Sequence, residues 1–312
     1  MGRSGKGASC LGDFQLVLTV EEFEEILGCP LGGRKPYLFS GVYPSMERIA
    51  KVVKISAQEL DRVKQNRNGV VGIPRKHLEE KAKALVDQDE WALFIDVLAL
   101  LVFRVVLFPN MDGLVYLAAI NAFLAYHHSK ESLVVAVLVD AYNTFDRRCE
   151  KSGARIVYYT PALYVWLVSH LFRHEGASVN WFPRWKEGRV GVLSSCEGFS
   201  NFPLMGMRGC INYNLVLAIR QLGYPMRGAP LEESITPFIA RGFSDPNAWM
   251  FQIVRKAWSA VQRKDKELRG SSNGIISSYH KWLKTRIQEI TWLPKLKISS
   301  EEEAKTPEES EK

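Results

Sequence analysis

The chain has few cysteines, and none is placed to hold a metal ion. Its 312 residues include five cysteines, at positions 10, 29, 149, 196 and 210, and no Cys-x-x-Cys or Cys-x-x-His pair occurs. Disulfide-dependent secreted domains are richer in cysteine, and structural zinc sites need closely spaced Cys or His ligands. A disulfide framework and a zinc site are therefore unsupported. We predict buried, unreactive thiols in a reducing compartment.

The chain also lacks a secretory signal and an uninterrupted membrane span. The polar N-terminus MGRSGKGASC is not followed by an apolar segment, and we predict that residues 1–10 are flexible. Trp91–Phe108 is nearly as apolar and as long as the roughly 20 residues that a span needs. Asp96 and Arg104 interrupt it, and charges in mid-membrane are costly. We expect a protein that is not secreted and does not bind a membrane.

The same apolar stretch predicts one of two packed helices at the centre of the fold. Pro109 and Asn110 end the first helix, and Leu114–Leu124 resumes a helical pattern after a turn. The eight-residue spacing of Asp96 and Arg104 indicates a solvated or ion-paired stripe on one face. The side chains expected in the core are Trp91, Phe94, Leu98, Leu101, Val105, Leu117, Ile120 and Leu124.

Sets of catalytic residues are missing as well. No Gly-x-Ser-x-Gly elbow, phosphate-binding loop or His-Glu-x-x-His pattern is present. His170 and His174 have the i, i+4 spacing of a zinc pair, but no third ligand is evident. Asp96, Asp112 and Asp140 are the acids in apolar surroundings, and each is explained more simply by a polar stripe, a turn and a helix face. We predict no enzyme, no cofactor and no metal.

What the sequence does contain is a repeated pattern of helix starts and stops. Thr19 with Glu22, and Ser56 with Glu59, have capping-box spacing, and Gly28 is placed to end the first helix. We interpret the glutamates between positions 21 and 25 as stabilising the positive end of that helix, with no functional role. Alternation predicts short strands at Phe14–Leu18 and Gly191–Ser194.

These patterns predict a mainly α fold, a single multi-helix globular domain over residues 11–295 with a few short strands. We expect about nine helices. One of them begins at Asp245-Pro246 and carries an apolar stripe from Met250 to Val261, and the last spans Ile275–Ile290. Residues 299–312 form an acidic tail that we predict to be disordered.

Charge is unevenly distributed along the chain. The net charge is +7, but residues 299–312 hold six Glu and two Lys, so the remaining residues carry about +11. Between Arg255 and Lys297 there are eleven Lys or Arg and three acids. Such a basic region fits phosphate binding, although a solvated basic surface is the simpler alternative. The candidate nucleic-acid-binding residues are Lys256, Arg263, Lys264, Lys281 and Lys284, on the outer sides of two predicted helices. Trp282 is placed either to stack on a base or to complete the packing.

Four stretches occur in the same order in one known family: TVEEFEEILGCPLGG, LALLVFRVVLFPNMDG, TPALYVWLVSHL and INYNLVLAIRQLGYP. Through them, roughly residues 11–295 resemble a plant-specific family of unknown function. That family is common in legumes and related to the transposon-derived plant mobile domain, sometimes labelled aminotransferase-like. The resemblance implies a mostly helical fold, an origin in mobile elements and, by analogy, a nuclear role linked to chromatin.

We therefore predict a non-catalytic interaction module of mobile-element origin. It would act in the nucleus, or alternatively in the cytoplasm, with an unidentified protein partner or nucleic acid. One alternative is a structural, capsid-like element protein, which self-assembly would distinguish. Another is a metal-dependent or pyridoxal-dependent enzyme. Pyridoxal chemistry requires a Schiff-base lysine, an acidic partner for the pyridinium and a phosphate-binding loop, and none of these can be placed in this sequence.

Overall fold

Helices begin in the first part of the chain where a hydroxyl side chain can accept a backbone N–H. In the computed structural model, the hydroxyl oxygen of Thr19 accepts from the N–H of Glu22 at 3.1 Å, and that of Ser56 accepts from Glu59 at 3.2 Å. Gly28 ends the first helix with a φ of 59°, a left-handed conformation that a residue without Cβ adopts freely. These predicted starts and this stop are confirmed.

The structure describes residues 8–11, 14–109, 113–150, 158–171, 191–196, 202–226, 228–235, 239–241, 248–269 and 277–289. The predicted acidic tail, residues 1–7, Asp112, His174 and the Asp245-Pro246 helix start lie outside the described residues. The predicted flexible N-terminus overlaps a strand at residues 8–10.

Helices dominate the described part of the chain, and the predicted mainly α fold in one globular domain is confirmed. A π-helical segment, Phe103–Leu107, continues the fifth helix without a break. The α-helices are α1 (Val20–Leu27), α2 (Met46–Val53), α3 (Ala57–Val63), α4 (Arg75–Asp87), α5 (Trp91–Val102), α6 (Leu117–Ser129), α7 (Val134–Glu150), α8 (Thr160–Leu171), α9 (Leu215–Gln221), α10 (Glu232–Ile235), α11 (Ala248–Ser259), α12 (Lys266–Arg269) and α13 (Ser277–Glu289).

Short strands within the described ranges form four small antiparallel sheets. They are β1 (Ala8–Leu11), β2 (Phe14–Val17), β3 (Gln65–Arg67), β4 (Val70–Pro74), β5 (Leu114–Tyr116), β6 (Val192–Cys196), β7 (Phe202–Gly206), β8 (Gly209–Tyr213), β9 (Ile239–Arg241) and β10 (Val261–Lys264). The sheet orders are β1-β2, β3-β4-β5, β6-β10 and β7-β8-β9. The strands predicted near Phe14 and Gly191 are present as β2 and β6.

Helix α6 lies between two hydrophobic clusters. Its small side chains, including Ala118 and Ala122, face a cluster built on α7, α1 and the β7–β8 hairpin. Its large side chains, including Ile120 and Leu124, face a second cluster formed with α2, α4 and α5. An apolar helix that is buried on all sides is typical of a protein interior. At Gly206, a Cβ would lie 2.7 Å from Val139 Cγ1, so only glycine allows β7 to pack this closely on α7.

The prediction of core residues along the central stretch was only partly right. Five of the predicted side chains are buried or half-buried: Phe94, Leu101, Leu117, Ile120 and Leu124. Trp91, Leu98 and Val105 are instead 54%, 42% and 44% exposed. Helix α5 faces the core through Val97 and Leu100, which are fully buried. Because α5 is apolar on nearly every side, its pattern does not indicate which side is inward.

The two charges in the central stretch have separate partners. The Arg104 guanidinium is buried, and its Nε donates to the backbone oxygen of Leu114 at 2.9 Å. Asp96 Oδ1 lies 3.1 Å from His127 Nε2 on α6. Asp96 therefore has a polar partner in His127, whereas Arg104 is buried and is not on a solvated stripe. In the described part of the chain, no helix has both the length and the apolar character that crossing a membrane requires.

Val261–Lys264 is a strand and not the end of a helix, which corrects the sequence prediction. Helix α11 ends at Ser259, and Val261–Lys264 pairs antiparallel with Val192–Cys196. Half-buried and exposed residues alternate along β10, as expected for a strand at a surface. The pairing partner is distant in sequence, so local periodicity did not reveal it. Arg263 and Lys264 consequently do not lie on the outer side of a helix.

We expect Leu124→Ala to lower the free energy of unfolding by about 2–5 kcal/mol, because truncating a buried leucine removes contacts and leaves a cavity. Leu124 is 0% exposed. The matched control is Leu231→Ala, since Leu231 is 75% exposed, and its effect should stay within about 0.5 kcal/mol. Urea denaturation followed by circular dichroism measures both values. Equal losses for the two variants would contradict the central position of α6.

Candidate functional site

Three glutamates of α1, Glu21, Glu22 and Glu24, are buried with polar partners inside the protein. Glu22 is 0% exposed. Its Oε2 accepts from Trp166 Nε1 at 2.8 Å, and its Oε1 lies 3.1 Å from His170 Nε2. Both partners belong to α8, so one carboxylate joins α1 to α8.

Gln221 connects the same carboxylate to α9 and β2. Its Nε2 lies 3.0 Å and 2.9 Å from the two carboxylate oxygens of Glu22 and donates to the Val17 carbonyl at 2.8 Å. Its Oε1 accepts from the Val17 N–H at 2.8 Å. The amide therefore pairs with the backbone at the end of β2 in the way that a neighbouring strand would.

Glu21 lies on another side of α1 and binds a different sheet. It is fully buried, and its Oε1 accepts from the backbone N–H of Leu193 on β6 at 2.7 Å. Tyr213 Oη, on β8, lies 3.4 Å from Glu21 Oε2 and accepts from the Val20 N–H. Burial raises the pKa of Glu21, although the bond from Leu193 and the nearby charge of Arg263 oppose the shift.

Glu24 forms the third connection, and its partner is Arg263, one of the candidate nucleic-acid-binding residues. Its Oε1 accepts from the Leu31 N–H at 2.7 Å and from Arg263 Nη2 at 2.5 Å. The Glu24 side chain is 6% exposed and that of Arg263 is 27% exposed. Arg263 is therefore half of a largely buried ion pair.

We call Glu21, Glu22 and Glu24 with these partners the carboxylate cluster. The donors on these carboxylates come from α8, α9, β6, β10 and the segment after α1. A carboxylate that is enclosed and bound by several N–H groups is poorly placed to meet a substrate, and it holds elements together instead. The sequence interpretation missed this cluster, because glutamates in a first helical turn are usually solvated. The signal it could have used is that two of them, Glu22 and Glu24, flank the apolar Phe23 on a short helix.

Of the three acids in apolar surroundings, the structure describes Asp96 and Asp140, and these two have separate partners. Asp140, on α7, is buried and lies 3.3 Å from Arg208 Nε through its Oδ1. Burial raises the pKa of Asp140, and the charge of Arg208 opposes this. Asp96 pairs with His127 as described above. Among the residues that the structure describes, no group of three or more His, Cys, Asp or Glu side chains could hold a metal ion.

The cysteines of the described β6 and β8 strands are buried, as predicted. Burial raises the pKa of Cys196 to about 11 and that of Cys210 to about 12. At neutral pH both side chains are therefore thiols and not the reactive thiolates.

The predicted nucleic-acid-binding residues lie on three elements. Lys256 is on α11, Arg263 and Lys264 are on β10, and Lys281 and Lys284 are on α13. The four lysines are exposed, whereas Arg263 is bound to Glu24. Lys264 lies near Glu267. Lys256, Lys281 and Lys284 pair with no acidic side chain in the described part of the chain.

Trp282 completes the packing of α13. It is half-buried against the larger hydrophobic cluster, and Tyr279 lies 5.4 Å from it between ring centroids. The Arg286 guanidinium covers the Trp282 ring at 5.4 Å from the centroid. Of the two roles considered for Trp282, packing is the one that these contacts support.

The protein is a mainly helical domain in which the carboxylate cluster connects helix α1 to the elements around it. The sequence profile of one family matches residues 9–178 and 175–288. The chain belongs to this family, which is described as a domain of unknown function (DUF7745). No curated protein and no solved structure matches the chain.

We expect Glu22→Ala to lower the free energy of unfolding by about 3–5 kcal/mol, because it leaves the buried Trp166 Nε1–H without its acceptor and leaves Gln221 Nε2 with the Val17 carbonyl alone. Glu25→Ala is the matched control, since Glu25 is exposed on the same helix. Its effect should stay within about 0.5 kcal/mol. Chemical denaturation of both variants tests this, and a loss for Glu22→Ala no larger than for Glu25→Ala would show that the cluster is not stabilising.

A second expectation concerns pH. Burial raises the pKa of Glu21 above its ordinary value of 4.5, so the folded chain binds this proton more tightly than the unfolded chain. The contribution of Glu21 to stability is then complete below about pH 4.5 and is lost as the pH rises through the raised pKa. Glu21→Gln keeps an oxygen for the Leu193 N–H but cannot ionise. Its Tm should therefore fall less than that of the wild type from pH 4.5 to neutrality. Parallel Tm curves would refute the assignment.

Proposed function

We propose that this chain is a non-catalytic interaction module that binds nucleic acid through exposed lysines of its C-terminal elements. We further propose that it acts in the nucleus and derives from a mobile element, as its resemblance to the plant-specific, transposon-related family implies. Imaging of the fluorescently tagged full chain in plant cells tests the location, and a purely cytoplasmic signal would contradict the nuclear role.

The observation that carries the binding proposal is the arrangement of α13. Tyr279 and Arg286 are buried on the inner side of this helix, whereas Lys281 and Lys284 are exposed three residues apart. Residues at this spacing share a helix face, so the two ammonium groups can contact neighbouring phosphates. Lys256 adds a further exposed cation on α11. Lysine is a flexible point charge, which suits contacts to a phosphate backbone more than recognition of bases.

The proposal of a non-catalytic role rests on the carboxylate cluster. Glu21, Glu22 and Glu24 are bound by internal donors, and Asp140 is bound by Arg208. General acid–base catalysis needs a carboxyl group within reach of a substrate, and these buried groups are placed to hold the fold.

The binding experiment compares two triple variants with the same change in charge. Lys256, Lys281 and Lys284 are each replaced by Glu in one variant, and the exposed Lys51, Lys76 and Lys83 are replaced in the control. Arg263 is left unchanged, because reversing it would break its pair with Glu24. Gel-shift titrations with single- and double-stranded nucleic acid over a range of salt measure affinity and its salt dependence.

We expect the C-terminal variant to lose binding at low salt, while the control keeps most of it. If all three lysines contact phosphates, they account for up to about 3 of the wild-type slope of log affinity against log salt, at roughly 0.9 for each phosphate contact on B-DNA. Deleting the acidic residues 299–312 should tighten binding by removing a competing anion. Equal losses in the two triple variants, or no binding by the wild type at low salt, would overturn the proposal.

A further inference from the structure

Helix α5 and the π-helical segment after it expose a continuous row of apolar side chains. We call Trp91, Ile95, Leu98, Val102 and Val105 the α5 stripe. They are 54%, 60%, 42%, 50% and 44% exposed. The segment that carries them is about 25 Å long. Single exposed apolar residues are common, but a row of five large ones along one helix is not.

The spacing of the stripe is that of a seam between two helices. Successive members are four, three, four and three residues apart, an average of 3.5. This repeat keeps side chains on one line facing a partner helix, as in a coiled coil. The opposite side of α5 is fixed in the core by Val97 and Leu100, which are fully buried. The stripe is therefore presented by a rigid element.

The area of the stripe is sufficient for an interface between two copies. From the exposed fractions of its side chains we estimate on the order of 500 Å² for one copy and about 1,000 Å² for a pair, which reaches the size expected of a biological interface. A patch of this size is at the upper end of what monomeric proteins expose.

Charges at the two ends of the stripe favour a second copy in the antiparallel orientation. Asp87, Asp89 and Glu90 are exposed immediately before α5. At the other end, the backbone N–H of Arg75 donates to the Gly113 carbonyl at 2.9 Å, and the Arg75 side chain is paired with Glu79 at 2.8 Å. The exposed Arg67 lies beside the same glycine and supplies the positive charge at this end. Antiparallel packing brings the acidic end of one copy to the basic end of the other, whereas parallel packing brings like charges together.

We propose that the α5 stripe is the contact surface of a homodimer, in which α5 of one copy packs antiparallel to α5 of a second copy across a two-fold axis. Leu98 is the central member of the stripe, so it lies opposite Leu98 of the partner subunit. Trp91 lies opposite Val105 of the partner subunit. A two-fold contact of this kind is self-complementary and closes without forming a filament.

The first experiment measures the molar mass of the full chain in solution by sedimentation equilibrium or light scattering. At about 50 μM, where a micromolar complex is largely formed, we expect twice the 35.4 kDa of one chain. Ile95→Glu and Leu98→Glu should each give a monomer, because an unpaired charge at the seam is costly. The matched control is Leu231→Glu, an exposed leucine outside the stripe, which should remain dimeric. Circular dichroism tests whether each variant is folded. We expect both stripe variants to fold, because Ile95 and Leu98 are exposed enough to accept a charge.

The second experiment determines orientation by cysteine cross-linking. In the antiparallel pair, Leu98→Cys meets its own equivalent and forms a disulfide between subunits under mild oxidation. Trp91→Cys does not, because the two equivalents lie about 20 Å apart. In a parallel pair both variants would cross-link. The wild-type chain under the same oxidant gives the background from native cysteines.

A monomeric wild type, or a dimer that survives both Ile95→Glu and Leu98→Glu, would overturn the proposal. Efficient cross-linking of Trp91→Cys would overturn the antiparallel arrangement. These measurements are made without nucleic acid. The dimer proposal can therefore fail or succeed independently of the proposed nucleic-acid binding.

Discussion

The described part of the fold depends on carboxylates that are buried with their hydrogen-bond donors. Glu21, Glu22 and Glu24 on α1 accept from α8, α9, β6 and β10, elements that lie about 140 to 240 residues further along the chain. A buried charge without donors is strongly destabilising, so α1 can be buried only when these elements are in place. The cluster thus links the formation of the first helix to that of the C-terminal half.

This interior leaves the outer surface to carry the proposed functions. The exposed lysines lie on α11, β10 and α13, and the α5 stripe lies on a helix of the other hydrophobic cluster. Taken together, the two proposals describe a dimer that carries two sets of exposed lysines. Linked binding of two weak sites can raise overall affinity by about 10²–10⁴. The structural, capsid-like alternative requires self-association. A dimer would therefore fit that alternative better than a monomer would.

Sequence reasoning succeeded where the determinant is local. Thr19 and Ser56 accept the backbone N–H groups expected of helix caps, and Gly28 has the expected left-handed conformation. It failed where the determinant is a distant neighbour. Val261–Lys264 was assigned to a helix and is a strand, because its pairing partner Val192–Cys196 cannot be recognised from the local pattern. Among the candidate binding residues, the exposure of the lysines was predicted correctly. The largely buried ion pair of Arg263 with Glu24 was not predicted.

The amino-acid sequence by itself determined the mainly helical character and the positions of many helix ends. It also determined that residues such as Ile120 and Leu124 are buried. Helix caps, glycines and apolar periodicity act within a few residues, so they can be recognised in the sequence. The tertiary structure decided which side of α5 is inward, since that helix is apolar on nearly every side. It also decided that three of the four glutamates of α1, Glu21, Glu22 and Glu24, are interior. A carboxylate can be buried only where donors from other elements converge on it, and that convergence exists only in the folded chain.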